Sequence, residues 1–128
     1  MPSPSPTYIP RKGRLSPHFS ADELRCRSGC ATPLEVGAGL GVLAGALEEI
    51  REAVGVPLMI TSGYRSPEHN AKVGGVRGSL HTLGLAADFV APGYTGVALR
   101  RQIERLIAAG KLPAGGIGTY DDAGRIRL

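Results

Sequence analysis

At 128 residues the chain is sized for one domain with one modest core, and a hydrophobic share of 42% excludes a disordered protein. No apolar run approaches the length of a membrane span. Lys and Arg outnumber Asp and Glu by 15 to 11, but the basic residues are dispersed and no aromatic pattern interleaves them, so we read a basic solvated surface and no nucleic-acid site.

The opening stretch MPSPSPTYIPRKGR, residues 1–14, lacks a hydrophobic signal core and reads as an extended Pro/Ser arm with a basic patch. With 19 Gly and 10 Pro, the remainder should be rich in turns and short elements. SPHFSADEL reads as the start of a short helix, with Ser20 as N-cap and Glu23 at the capping-box spacing. Cys26 and Cys30 admit a local disulfide, half of a metal site or two thiols. No second ligand pair follows at short spacing, and reduced structural thiols are the preferred reading.

Pro33 suits the first turn of a helix whose Leu34, Leu40, Leu43, Leu47, Ile50 and Val54 recur mostly at three- and four-residue steps. Glu48, Glu49, Arg51 and Glu52 fall largely on its wet side. Its glycines (Gly37, Gly39, Gly41, Gly45) weaken it but allow close packing, and Gly55 ends it. VPLMITS is a strand, bounded by Pro57 and Gly63. SPEHNAKVGG gives one or two helical turns stopped at Gly74 and Gly75. LAADFVA is a second strand. Thr95 caps a helix with Leu99, Ile103, Leu106 and Ile107 on one stripe, ending at Gly110. GGIGTY and RIRL are strands around an Asp-Asp-Ala-Gly turn. Mixed helices and strands with short turns between the last strands favour an α+β domain with an antiparallel sheet.

His81 is one of three histidines, and Asp88 follows it in the small, apolar run SLHTLGLAAD. Imidazole nitrogen and carboxylate oxygen are both zinc ligands. Gly84 breaks a helical reading between them, so a turn after His81 should lead into the strand carrying Asp88. Gly84, Ala86 and Ala87 would let the backbone pass close to an ion. From the pair alone, a core histidine and a strand-end aspartate remain the preferred reading.

The flanks change that weighting. Ser62, Gly63, Tyr64, Arg65 and Ser66 stand at a strand end, followed by His69, Asn70, Gly74 and Gly75. Then come Ser79, His81, Gly84, Ala86 and Asp88 in the pattern Ser-x-His-x-x-Gly-x-Ala-x-Asp. Together these resemble the zinc peptidase family M15, which holds D-Ala-D-Ala carboxypeptidases and L-alanyl-D-glutamate endopeptidases of cell-wall peptides. HFSADELRCRSGC and GGIG extend the resemblance over residues 15–128.

The resemblance implies a hedgehog/DD-peptidase-like fold, a small antiparallel sheet with flanking helices. It also implies a zinc cofactor with His81 and Asp88 as ligands. It places Arg65 at the substrate carboxylate or carbonyl, with Tyr64 beside it in substrate binding. Ser79 is near enough in sequence to bond substrate or orient His81, and a plain turn serine is an equal alternative. His69 is structural, since the family motif does not use it as a ligand. In the family a third ligand, a histidine in a His-x-Asp strand, follows soon after the GGIG stretch. Here GGIGTYDDAGRIRL lacks it. Either the histidine lies past Leu128 in a longer natural chain, which is preferred because the chain stops in mid-strand, or Arg127 occupies its place. Using His18 instead would need another ligand topology. Asp121 and Asp122 are the only carboxylates near the expected general base, and turn chemistry accounts for them.

The function expected is therefore cleavage of peptidoglycan stem peptides, at the cell wall or periplasm, by a phage-type lysin or tail-associated hydrolase. With only two ligands the chain should hold zinc weakly and hydrolyse little. The competing expectation is a non-catalytic cell-wall-binding module on the same fold, tethered to a larger assembly through the arm.

Overall fold

The computed structural model describes residues 9–10, 13–29, 31–112, 117–120 and 123–127. Cys30, Asp121, Asp122, Leu128 and most of the N-terminal arm lie outside them, as do the readings attached to those residues. Among the described residues no helix is long and apolar enough to cross a membrane.

Helix α1, Gly37–Val54, forms because its apolar residues fall on one stripe. Leu40, Leu43, Leu47 and Ile50 are fully buried, and Val54 nearly so. Each such side chain contributes about 1.5–3 kcal/mol by leaving water. Gly55 ends the helix in a left-handed conformation, φ 71°, donating its N–H to Arg51 O. Pro33 and Leu34 lie outside α1. Pro33 is extended and precedes a single 3-10 turn, Leu34–Val36, and Leu34 is exposed. Close packing applies to Gly39, where a Cβ would lie 2.8 Å from Leu83 O, but not to Gly41 or Gly45, which face open space.

Four strands make the sheet. β3 (Met59–Ser62), β4 (Ala86–Val90), β5 (Ile117–Tyr120) and β6 (Ala123–Arg127) run in the order β3-β4-β6-β5, all neighbours antiparallel. Strand periodicity sends Ala87 and Phe89 to one face and Ala86 and Asp88 to the other. The first face, with Ile126 of β6, joins the core under α1 and α3 (Gly96–Ala108), whose Leu99 and Ile103 are fully buried. Thr95 caps α3, its side chain accepting from Ala98 N. The fold is thus α+β, with the large helices over one face of the sheet.

Two features depart from the sequence reading. Arg14–Ser16 and Phe19–Ser20 form a small antiparallel ribbon, β1 and β2, where no strands were expected. Ile9 is also tied in, donating its N–H to Thr32 O. Ser20 and Glu23 make the reciprocal bonds of a capping box: Ser20 N–H donates to Glu23 Oε1 and Glu23 N–H to Ser20 Oγ. The chain nonetheless makes only turns over residues 21–24. Phe19, Ala21, Leu24 and Cys26 are all buried, at a spacing no helical face supplies, and tertiary burial overrides the local cap.

Candidate active site

The site grows from the end of β3. There the chain passes so close to the buried segment around Leu24 that a Cβ on Gly63 would lie 2.7 Å from Leu24 O and 2.8 Å from Leu24 Cα. Tyr64 N–H donates to Leu24 O at 2.9 Å, which fixes the strand end. Arg65 N–H then donates to His81 O at 3.0 Å. Ser66 caps the short helix α2, Pro67–Lys72, by accepting from His69 N. Inside α2 the buried Asn70 joins two walls: its Nδ2 donates to Val76 O at 2.9 Å, and its Oδ1 accepts from Arg65 Nη1 at 3.3 Å. A second bond, Arg65 Nε to Ser62 Oγ at 3.3 Å, braces the guanidinium.

His81 sits in a 3-10 turn, Leu80–Leu83, whose N-cap Ser79 accepts from His81 N at 3.3 Å. Gly84 closes the turn at φ 72° and fits against α1, where a Cβ would meet Leu40 Cγ at 3.1 Å. Its smallness therefore serves helix packing, not an ion. Ala87 likewise faces the core, and of the three small residues only Ala86 lines the cleft.

The His81 ring is buried. Nδ1 lies 2.8 Å from Gly63 O, and since a carbonyl only accepts, Nδ1 carries the proton and donates. The lone pair is then on Nε2, which has no hydrogen-bond partner among the described residues and lies 3.7 Å from Asp88 Oδ2. Burial lowers the His81 pKa below the ordinary imidazole value. The Gly63 carbonyl and Asp88 oppose this, and the Arg65 and Arg125 guanidiniums add to it. The ring is neutral at pH 7.

Asp88 is 3% exposed and directly opposite Arg125 in the β4–β6 register. Arg125 forks over it, Nε on Oδ1 and Nη2 on Oδ2, the latter at 3.3 Å. Arg65 Nη2 stands 3.7 Å from Oδ2. In front lies a cleft of about 480 Å3 lined by Arg65, Ser79, His81, Ala86, Arg125 and the glycine-rich loop 73–78.

The structure thus brings Arg65, Ser79 and His81 onto one cleft wall with Asp88 behind them. Tyr64 is placed elsewhere: it is buried in the core and is not among the residues lining the cleft. Its buried ring anchors the strand end. His69 contributes its backbone to the α2 cap, and His18 pairs with Glu48 of α1, Nδ1 to Oε1 at 2.7 Å. Sequence reasoning missed Arg125 and gave Asn70 no role. The alternation of Gly124, Arg125 and Ile126 does mark Arg125 as facing away from the core, but its contact with Asp88 depends on strand register.

A small antiparallel sheet with helices over one face and a polar histidine–carboxylate cleft on the other defines an α+β domain. The family model described as Peptidase M15 matches residues 17–123, and the chain belongs to that peptidase family. No curated protein and no solved structure matches it. M15 peptidases are generally zinc-dependent. The orphaned, buried Nε2 of His81 beside Asp88 Oδ2 fits two ligands of such an ion, with the Gly63 carbonyl as the outer partner that orients the ring. A third ligand is not gathered with them: among the described residues no group of three His, Cys, Asp or Glu is placed to hold a metal.

Proposed function

We propose that this chain is a zinc-dependent peptidase that cuts the stem peptides of peptidoglycan. The observation that carries the reading is the buried His81 Nε2, which keeps the ring's lone pair, lies 3.7 Å from Asp88 Oδ2 and has no hydrogen-bond partner among the described residues. His81 and Asp88 hold the metal. Zinc, when bound, supplies Lewis-acid polarisation of the scissile carbonyl and makes water more acidic. Arg65 is braced by Ser62 and Asn70, so its fork meets a peptide carboxylate or carbonyl with little ordering left to do. Ser79 keeps the His81 turn in place. Supply by a phage lysin or tail-associated hydrolase, with the N-terminal arm as its tether, is the setting we propose.

The test is zinc binding, read by competition against a chromophoric chelator, and release of fragments from purified peptidoglycan with zinc in excess. His81→Ala should abolish both. Arg65→Ala should spare the zinc and slow turnover.

One observation favours a second reading, a cell-wall-binding module without catalysis: both oxygens of Asp88 are engaged by Arg125. Wall binding with no cleavage of any cross-link type would decide for it.

A further inference from the structure

The metal reading asks Asp88 to turn a lone pair to a cation, yet Arg125 already spans both of its oxygens. Arg65 adds a second guanidinium 3.7 Å from Oδ2. With His81 neutral, one carboxylate faces two guanidiniums, and the cluster carries a net positive charge. An incoming dication meets repulsion and a carboxylate each of whose oxygens already accepts from Arg125, so Arg125 competes with a metal ion at Asp88.

The two arginines differ in exposure. Arg65 is held from the side by Ser62 Oγ and Asn70 Oδ1 and is nearly buried. The Arg125 side chain is 29% exposed and lines the cleft, so it has solvent-filled space to rotate into while β6 stays paired.

We propose that Arg125 is an internal competitor for the metal. It neutralises Asp88 in the metal-free protein, must leave Oδ2 for a cation to bind, and so sets the metal affinity of the site. Once displaced, its guanidinium joins Arg65 on the cleft wall. This rests on the reading of His81 and Asp88 as ligands.

The test uses the full chain, zinc alone, and competition against a chromophoric chelator. Arg125→Leu should bind zinc about tenfold tighter or more than the wild type, because both the competing fork and its charge are gone. The same variant should melt at a lower temperature when metal-free, because Asp88 then lacks its counter-charge. A purely structural Arg125 would lower the melting temperature without tightening zinc. In the unmutated protein, zinc should move the Arg125 Nε–H nuclear magnetic resonance to that of a solvent-exposed arginine and leave Arg65 bonded, a readout that needs no variant to fold. Zinc binding that His81→Ala removes but Arg125→Leu leaves equal or weaker overturns the competitor. An Arg125 Nε–H unmoved by saturating zinc overturns it too. Wild-type zinc binding indifferent to His81→Ala overturns the ligand assignment itself, and the competitor with it.

Discussion

Replacing Gly63 by alanine tests the link between the core and the His81 ring. The added Cβ would lie 2.7 Å from Leu24 O, 2.8 Å from Leu24 Cα and 2.9 Å from Leu24 C, all backbone atoms that no rotamer change can move. Either the end of β3 or the buried segment around Leu24 must shift. Such overpacking costs about 1–3 kcal/mol. The shift also strains two hydrogen bonds, Tyr64 N–H to Leu24 O at 2.9 Å and His81 Nδ1–H to Gly63 O at 2.8 Å, each worth about 1 kcal/mol. Gly63→Ala should therefore destabilise the protein by about 2–5 kcal/mol in urea unfolding monitored by far-UV circular dichroism. Gly45→Ala is the matched control. Gly45 is exposed on α1 with open space around it, so alanine there should stabilise by about 0.5–1 kcal/mol. A Gly63→Ala midpoint equal to that of the wild type would refute the reasoning, since the close approach could then not be as tight as described.

Asn70→Leu removes the bonds to Val76 O and Arg65 Nη1 and should cost about 2–3 kcal/mol; a loss in urea unfolding no larger than that of an exposed substitution would show that the bridge carries no weight. Tyr94→Phe deletes the bond from Tyr94 Oη to Val54 O and should cost about 1 kcal/mol by the same measurement. Acid should weaken the metal-free protein through His81. Its folded pKa lies below the unfolded value of about 6.5, so below that pH the unfolded chain takes up a proton that the folded ring refuses. This contribution to stability is complete above pH ~6.5 and is lost as the pH falls toward the folded pKa. The unfolding midpoint of His81→Gln should fall less between pH 7.5 and pH 5 than that of the wild type, and parallel curves would remove His81 as the cause.

What the sequence made legible was local. The stripe of Leu40, Leu43, Leu47 and Ile50 fixes α1, Thr95 fixes the start of α3, and short apolar runs bounded by Gly and Pro fix β3 and β4. Family resemblance singled out Arg65, Ser79, His81 and Asp88, residues that the structure gathers at one cleft. It also grouped Tyr64 with them, although alternation after Gly63 turns that ring into the core. The remainder depends on partners far along the chain. The β1–β2 ribbon is too short to show a period, and the Ser20–Glu23 cap is a sound local signal that burial of Phe19 and Leu24 overrules. Arg125 reaches Asp88 only because β6 inserts between β4 and β5 in one register, information carried by no single segment.

That insertion has a consequence for biosynthesis. The segments bearing Arg65, His81 and Asp88 leave the ribosome well before β6, which follows α3 and β5. Until β6 docks, β4 is an open edge with unpaired backbone groups on the side that β6 will occupy. The half-made chain is therefore at its stickiest beside the cleft, and the carboxylate of Asp88 waits for the Arg125 counter-charge. The order of translation makes β6 both the cover of that open edge and the strand that brings Arg125 to the cleft.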